Sequence, residues 1–196
     1  MTTELLLALA LGYLLGSIPF GLVLTRLAGK GDVRDIGSGN IGATNVLRTG
    51  SKPLAAATLI LDCLKATAAI QLARQLWPGT DSFAATGALI GHLYPVWLRF
   101  KGGKGVATLL GVLIPLLPIG AVIYAVVWVG LLLLVRISSV AGMAAALSAP
   151  VSAAILGERL LFPMFVGFAL LVVWKHKANI ARLRAGTEPK VGKKTA

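Results

Sequence analysis

Residues 35–50 form a segment rich in glycine, amide and hydroxyl residues, with one strongly basic side chain, Arg48. Gly37, Gly39 and Gly42 formally match the G-x-G-x-x-G pattern of dinucleotide-binding loops, but that pattern requires a preceding β-strand, and apolar runs flank this segment. Glycines let the backbone approach a ligand closely, and successive N–H groups can hold an anion. The segment therefore predicts either an anion-binding loop or a flexible turn.

A second polar segment, residues 91–108, contains Lys101-Gly102-Gly103-Lys104-Gly105 immediately before an apolar run. Its spacing differs from that of a Walker A loop. Two lysines beside glycines at the N-terminus of a helix can nevertheless bind a phosphate, since the helix dipole and its first N–H groups favour an anion there. The alternative is a basic loop that serves only to orient the protein in a membrane.

A third segment, residues 176–188, follows the last apolar run. His176, Asn179 and Arg182 are spaced i, i+3 and i+6, so they share one face if the helix continues through them. Ser138 and Ser139 begin the preceding apolar run. They either cap that helix or present a hydroxyl to the same site.

The composition indicates an integral membrane protein. Hydrophobic residues make up 57% of the 196 residues and charged residues 13%, with a mean hydropathy of +0.84. Soluble domains have about 45–50% apolar and about 25% charged residues, so a disordered chain and a soluble nucleic-acid-binding domain are excluded.

Asp62 and Lys65 lie inside an apolar run, where we expect them to form a structural ion pair. The single cysteine, Cys63, is expected to act as a small apolar residue.

The apolar runs predict an all-α polytopic protein with seven transmembrane helices in a single membrane-embedded domain, 1–196, of which about 185–196 form a basic cytoplasmic tail. The first run lacks a basic leading region, so we expect an uncleaved span rather than a signal peptide. Pro115 and Pro118 mark the end of the fourth run, and the fourth and fifth runs are alternatively one merged hairpin. The predicted spans are 5–25, 53–73, 82–98, 105–117, 119–135, 138–156 and 160–174.

The distribution of cations predicts the orientation. In the seven-span interpretation, 16 of the 19 lysines and arginines lie on one side of the membrane, which the positive-inside rule makes the cytoplasmic side. The N-terminus is then outside and the C-terminus inside, and this alternation favours seven spans over six or eight. All three polar segments fall on the cytoplasmic face. They predict a site for a small phosphorylated, hydroxylated molecule handled beside lipid.

These segments resemble the bacterial membrane glycerol-3-phosphate acyltransferases that use acyl-phosphate donors, the PlsY family. The similarity extends over nearly the whole chain and is highly specific. It rests on Gly37-Ser38-Gly39-Asn40-x-Gly42-Ala43-Thr44-Asn45-x-x-Arg48, on Gly91-His92-x-x-Pro95 with Phe100-Lys101-Gly102-Gly103-Lys104-Gly105-Val106-Ala107-Thr108, on His176-x-x-Asn179-Ile180-x-Arg182-Leu183 with Gly186 and Glu188, and on Leu14-Leu15-Gly16-Ser17-Ile18-Pro19 and Leu61-Asp62-x-x-Lys65.

The resemblance implies that a fatty acyl group moves from acyl phosphate to the 1-hydroxyl of sn-glycerol 3-phosphate, giving lysophosphatidic acid and phosphate in the first step of phospholipid synthesis. It implies a multi-pass protein of the bacterial cytoplasmic (inner) membrane with its active site facing the cytoplasm. No metal, cofactor or nucleic acid is expected, and the oligomeric state is left open. The implied catalytic residues are Ser38, Arg48, Lys104, Ser139 (with Ser138 as its competitor), His176 and Asn179, and the implied substrate-binding residues are Asn40, Thr44, Asn45, Lys101, Gly102 and Gly103.

The residue types permit this chemistry without a covalent intermediate. The His-x-x-x-x-Asp dyad of other acyltransferases is absent, because Trp97 follows His92 by five residues and Ala181 follows His176 by five. Phosphate is a good leaving group, so we expect a substrate phosphate to take the hydroxyl proton and His176 to orient the acceptor. The alternative is a small organic-phosphate transporter, which would require charges deeper in the membrane and a matching outer site.

Overall fold

The computed structural model describes residues 1–192, and these residues form α-helices joined by short 3₁₀ turns and loops. Residues 193–196, which include Lys193 and Lys194 of the predicted tail, lie outside the described part. The helices are α1 (Thr2–Gly16), α2 (Phe20–Leu27), α3 (Ala43–Val46), α4 (Lys52–Leu76), α5 (Asp81–Leu93), α6 (Val106–Leu116), α7 (Pro118–Val135), α8 (Ser138–Ile155), α9 (Leu161–Lys175) and α10 (Lys177–Arg184).

The chain divides into two compact units, Met1–Leu116 and the part from Leu117 onward. In the first unit, α1 packs against α5 through glycines on both helices. Gly12 and Gly16 in α1, and Gly87 and Gly91 in α5, each lie where a Cβ would overlap a backbone carbonyl oxygen of the opposite helix. Small residues spaced four apart allow such close approach between helices in a membrane.

Helix α4 lies against α1, α5 and α6 in the same unit. Thr67 Oγ1 donates a hydrogen bond of 2.8 Å to the carbonyl of Gly111 in α6. The predicted ion pair is confirmed, since Lys65 Nζ lies 2.7 Å from Asp62 Oδ1 and both side chains are buried. The two deep charges thus compensate each other within α4, as the ion-pair interpretation expects.

The first predicted run is broken rather than continuous. Helix α1 ends at Gly16 and α2 begins at Phe20, with Pro19 between them. Proline has no N–H group and its ring clashes with the carbonyl four residues earlier, so it favours a kink or a break in a helix, and here the helix breaks. The shorter α2 contributes Leu22 to an apolar cluster that anchors the glycine-rich segment, formed by Leu22, Val33, Ile41, Val46 and Ala55.

The third predicted run, 82–98, is also shorter as a helix. Helix α5 ends at Leu93, and a 3₁₀ turn follows at Val96–Leu98. Pro95 explains this end, because the residue before a proline avoids helical backbone angles. Helices α6 and α7 are two separate helices, since α6 ends at Leu116 and Pro118 is the first residue of α7. These bounds do not decide between two spans and a merged hairpin, so both stay predictions.

The second unit contains α7, α8, α9 and α10. Helix α8 packs against α7 and α9, and its buried residues are almost all small. Helices α9 and α10 meet at His176 with a bend of 58°, so the last helix does not continue straight through His176, Asn179 and Arg182 as the shared-face interpretation requires. His176 lies at the bend, whereas Asn179 and Arg182 lie on α10.

Among residues 1–192, length and composition identify four segments that can cross a membrane, or five if the bent pair α9–α10 is one span. The four are Thr2–Leu27, Lys52–Leu76, Pro118–Val135 and Ser138–Ile155. Helices α5 and α6 have 13 and 11 residues. At about 1.5 Å per residue they are roughly 20 and 16 Å long, which is less than the ~30 Å of a hydrocarbon core. The all-helical membrane class is confirmed for residues 1–192, and the number seven stays a prediction.

The glycine contact between α1 and α5 generates a stability prediction. We expect Gly12→Ala to lower the free energy of unfolding by about 1–3 kcal/mol, because the new methyl overlaps the backbone of α5. The matched control is Gly130→Ala in α7, where a Cβ meets nothing within 4 Å. Alanine in such an open helical position stabilises by roughly 0.5–1 kcal/mol. Thermal unfolding in detergent measures both variants, and equal effects would contradict the packing argument.

Candidate functional site

Asn45 organises the glycine-rich segment of the first unit from its interior. Its side chain is buried, and Oδ1 accepts hydrogen bonds from the Ser38 backbone N–H at 3.0 Å and from Arg48 Nη1 at 3.3 Å. One amide oxygen thus holds the two predicted catalytic residues of this segment next to each other. Ser38 and Arg48 are themselves exposed, so both remain accessible to a ligand.

The other end of the Asn45 side chain fixes the course of the loop. Nδ2 donates to the carbonyls of Val33, Ile36 and Asn40 at 2.7, 3.1 and 2.8 Å. Because the amide oxygen and nitrogen are both engaged, Asn45 supports the loop, and the ligand-facing groups are its neighbours. Gly37 has φ +55°, and a Cβ there would overlap the Arg48 guanidinium, so only glycine allows the arginine to lie along this turn.

Asn40 connects this loop to the lysine- and glycine-rich segment. Its Oδ1 accepts from Gly42 N–H at 3.0 Å, and its Nδ2 donates to the Gly102 carbonyl at 3.4 Å. Residues 101–105, which we call the phosphate loop, thereby lie beside residues 35–50 in the same unit. The two segments that the sequence predicts as anion sites are brought together here.

The phosphate loop rests on the C-terminal end of α5. Gly103 N–H donates to the His92 carbonyl at 3.0 Å, and Gly102 N–H donates to the Leu93 carbonyl at 3.3 Å. Both glycines are buried, and a Cβ at either would overlap α5 or its side chains. Close packing therefore accounts for the need for glycine at positions 102 and 103. The same packing fixes the backbone between Lys101 and Lys104.

The N-terminus of α6 completes this part of the site. Lys101 is exposed and Lys104 is half-buried, and α6 begins two residues after Lys104. Within residues 1–192, Thr108 Oγ1 in the first turn of α6 is a fully buried side-chain oxygen with no hydrogen-bond partner. A buried hydroxyl without a partner is costly. A hydroxyl, two ammonium groups and a helix N-terminus together favour a ligand that carries a phosphate.

The carboxylate of Asp32, just before this segment, is ion-paired with two neighbouring arginines. The side chain of Arg34 donates to Asp32 at 2.9 and 2.6 Å, and Arg26 donates at 2.7 Å. The hydrogen bonds from Arg34 hold the pKa of Asp32 well below its usual range, and Asp32 in turn raises the pKa of Arg34. Arg48, by contrast, is held by a neutral amide, so its charge remains available to an anion.

A second cluster lies in the second unit, around the carboxylate of Glu188. Ser139 Oγ donates to Glu188 Oε1 at 2.6 Å, Asn179 Nδ2 donates to the same oxygen, and Arg182 Nε donates to Oε2 at 2.7 Å. Burial alone would raise the pKa of Glu188, but the hydrogen bonds from Ser139, Asn179 and Arg182 outweigh it and hold the pKa below its usual range. Glu188 is thus an ionised acceptor that fixes three side chains.

His176 lies at the bend between α9 and α10 and is buried. Its Nδ1 lies 2.7 Å from the carbonyl oxygen of Val172. A carbonyl oxygen only accepts, so Nδ1 carries the proton, and Nε2 is the acceptor of the neutral ring.

The predicted site residues therefore fall into two groups, each within one compact unit. Ser38, Asn40, Asn45, Arg48 and residues 101–104 are neighbours in the first unit, with Thr44 exposed on the same segment. Ser139 and Asn179 are neighbours in the second unit. The interpretation of the serines as a helix cap is wrong for Ser139, because Ile137 caps α8 without a side-chain hydrogen bond and the Ser139 hydroxyl donates to Glu188.

Sequence reasoning missed Glu188 and Thr108 as members of the site. Glu188 is the one acidic residue among the cations that follow α9, which is a signal that it pairs with several of them. Thr108 follows the phosphate loop by three residues, where a hydroxyl in the first turn of a helix can reach a ligand at the N-terminus.

Comparison with known proteins gives concordant matches. The family model described as glycerol-3-phosphate acyltransferase matches residues 6–186. Curated proteins of the same description from Mesorhizobium japonicum and Brucella anthropi are 59% and 56% identical to this chain, and each match covers 99% of it. The matches cover 100% and 96% of those relatives.

Two solved structures match the fold. One is PlsY, an integral membrane glycerol 3-phosphate acyltransferase, in its glycerol 3-phosphate form, with a TM-score of 0.90, 37% identity and 96% of each chain covered. The other is the lysophosphatidic acid form, with a TM-score of 0.87, 36% identity and 96% of this chain and 95% of that chain covered. The match of the family model over most of the sequence, with identity above one half to its curated members, shows that this chain belongs to the PlsY family of integral membrane glycerol-3-phosphate acyltransferases.

Proposed function

We propose that this protein transfers a fatty acyl group from acyl phosphate to the 1-hydroxyl of sn-glycerol 3-phosphate. The products are lysophosphatidic acid and inorganic phosphate, and the reaction is the first step of phospholipid synthesis. Two forms of the related PlsY, one with glycerol 3-phosphate and one with lysophosphatidic acid, support the acceptor and the product.

One observation carries the proposal independently of the family. The phosphate loop places Lys101 and Lys104 beside the N-terminus of α6, where Thr108 has a buried hydroxyl that lacks a partner among residues 1–192. Asn40 joins this loop to the segment that holds Ser38 and Arg48. Since both the proposed donor and the proposed acceptor carry phosphates, a site of this charge and geometry suits either of them.

The chemistry follows from the leaving group. The glycerol hydroxyl oxygen forms a bond to the acyl carbonyl carbon, and the bond from that carbon to the phosphate oxygen breaks. The hydroxyl proton goes to a phosphate oxygen, so hydrogen phosphate departs and no side chain has to store a proton. We assign Arg48 and Lys104 to binding and neutralising phosphate. Holding donor and acceptor together can supply roughly 7–11 kcal/mol of the barrier.

His176 then orients the acceptor rather than acting as an obligatory base. Its Nδ1 donates to the Val172 carbonyl, which fixes the orientation of the ring at the bend. We assign Ser139 and Asn179 to the same binding role in the second unit, with Glu188 fixing both side chains. Ser38 is assigned to substrate binding because Asn45 holds it next to Arg48.

We further propose seven spans, with the N-terminus outside and the C-terminus in the cytoplasm of a bacterial cell. The distribution of 16 of the 19 cations supports this arrangement. Helices α5 and α6 are each too short to cross the membrane alone, so each would span it with the help of its adjoining loop. Non-helical backbone is tolerated at membrane depth where protein buries it. The proposed substrate site faces the cytoplasm, where the phosphorylated acceptor is dissolved.

The donor is tested with purified protein and labelled glycerol 3-phosphate. We expect a labelled lyso-lipid and one phosphate per acyl group when acyl phosphate is supplied, and no product with acyl-CoA. Thin-layer chromatography and a phosphate assay measure the two products. Turnover with acyl-CoA alone would overturn the proposed donor.

The roles of Lys104 and His176 are separated by variants. We expect Lys104→Ala to lower kcat/KM by about 10²–10³-fold, as for loss of an electrostatic contact to the reacting phosphate. His176→Ala should chiefly raise KM for glycerol 3-phosphate and keep measurable kcat. Lys30→Gln, which removes an exposed lysine of the same unit, is the control. Two results together would instead make His176 a general base: complete loss of activity in His176→Ala, and a pH–rate profile of the wild-type protein that follows a single ionisation.

The orientation is tested by single-cysteine labelling. Cys63 is the one cysteine and is buried, so Cys63→Ala provides the background. We expect a membrane-impermeant maleimide to label Thr2→Cys in intact cells and Lys190→Cys only after the cells are opened. Gel-shift detection measures both reactions, and labelling of Lys190→Cys in intact cells would refute a cytoplasmic C-terminus.

A further inference from the structure

Lys65 is a buried ammonium whose three hydrogen-bond partners are all identified. Nζ lies 2.7 Å from Asp62 Oδ1, 2.8 Å from the Ile18 carbonyl oxygen and 2.9 Å from His92 Nδ1. An ammonium group has three donors and no acceptor. All three protons are therefore used, and they connect α4 to α5 and to the break between α1 and α2.

This geometry determines the tautomer of His92. Because Lys65 can only donate, Nδ1 of His92 accepts, and the ring carries its proton on Nε2. The neutral ring is required here, since a second proton on Nδ1 would point at the ammonium. Asp62 Oδ1 lies 3.7 Å from the same Nδ1 and compensates the charge of Lys65 on the other side.

The Nε2 edge of His92 lies against the phosphate loop. A Cβ on Gly103 would overlap Nε2, so the ring occupies the space that a side chain at position 103 would need. The His92 carbonyl also accepts from Gly103 N–H at 3.0 Å. The backbone that leads into Lys104 is thus in contact with both the ring and the main chain of His92.

A buried ion pair is a poor device for stability alone. Apolar residues of similar size often stabilise a protein as well or better, because they avoid the desolvation of two charges. A charged pair within a membrane helix is instead a frequent sign of function. Here the pair fixes the orientation and the tautomer of a ring that contacts the proposed phosphate site.

We propose that Asp62, Lys65 and His92 are positioning residues that set the backbone of residues 102–104 for a substrate phosphate. They act through the loop and need not touch substrate. The inference rests on the proposed function, because it takes the phosphate loop as a binding site for a phosphate group. That group belongs either to glycerol 3-phosphate or to the acyl donor, and the experiment distinguishes the two.

The decisive variant is Asp62→Leu combined with Lys65→Met in the full-length protein. It replaces the ion pair with apolar side chains of similar size, so we expect a folded protein. Its melting temperature should be lower than that of the wild type, because the Ile18 carbonyl and His92 Nδ1 lose a donor. Affinities are measured by calorimetry in detergent, separately for glycerol 3-phosphate and for an acyl phosphonate that cannot transfer its chain. We expect the affinity for one of the two to fall at least tenfold.

Two further variants separate positioning from packing. His92→Gln retains one acceptor and one donor and should stay within about threefold of the wild-type affinity. Thr67→Val removes the hydrogen bond from α4 to Gly111 without touching the loop, so it should lower stability and leave both affinities unchanged. If the double variant does not fold, His92→Leu takes its place with the same expected loss of affinity.

Wild-type affinities for both ligands in a folded double variant would overturn the positioning role. Loss of affinity in Thr67→Val equal to that of the double variant would also overturn it, because general loosening would then suffice. Failure of the wild-type protein to bind either ligand would instead refute the phosphate site itself. The inferred positioning role and the proposed function can therefore be refuted separately.

Discussion

Every polar group placed at membrane depth must find its partner within the protein, and this constraint accounts for the organisation of the first unit. Pro19 interrupts a helix, and the Ile18 carbonyl at this break accepts from the Phe20 N–H at 3.2 Å. The same carbonyl also accepts from Lys65 Nζ of α4 at 2.8 Å. The charge of Lys65 requires Asp62, and its third proton requires an acceptor, which is His92. One backbone break thus generates a chain of requirements that ends at the phosphate loop.

The Asn45 cluster of the first unit and the Glu188 cluster of the second unit both hold polar side chains by hydrogen bonds, but the central acceptor differs. In the first unit a neutral amide, Asn45, holds Arg48 and leaves its positive charge uncompensated by the contact. In the second unit a carboxylate, Glu188, holds Ser139, Asn179 and Arg182, so it offsets the charge of that arginine. An anion is therefore attracted more strongly to the first cluster. The second is better suited to hydroxyl groups, which need directed hydrogen bonds rather than net charge.

The sequence predicts the helices well, because long apolar runs in a membrane protein have few alternatives to helix. It predicts their interruptions less well. Pro19 and Pro95 are visible as residues, but the point where the chain leaves a helix depends on which groups hydrogen-bond to the carbonyls at the break. For the Ile18 carbonyl, one donor is two residues away and the other, Lys65, is 47 residues away. Local patterns contain no information about such a partner.

For the candidate site too, the sequence predicts local features but not those that depend on distant partners. Glycines, lysines and hydroxyls at characteristic spacing indicate phosphate binding, since that chemistry is local to a loop and a helix N-terminus. Whether Ser138 or Ser139 contributes could not be deduced, because the answer depends on Glu188, which is 49 residues from Ser139. Asn45 was expected near substrate, whereas its buried amide is occupied by the backbone of its own loop. Spacing identifies the residues of a site more readily than it assigns their tasks.

The reciprocal glycines of α1 and α5 also constrain the order in which the protein can be assembled. The ribosome completes α1 long before α5, so the glycine face of α1 has no partner while α4 is being inserted. Lys65 can find Asp62 and the Ile18 carbonyl during this interval, but its third acceptor arrives only with α5. Docking of α5 on α1 and α4 therefore completes the hydrogen bonding of Lys65. The phosphate loop follows α5 and a 3₁₀ turn in the chain, so its backbone is synthesised after the helix on which it rests.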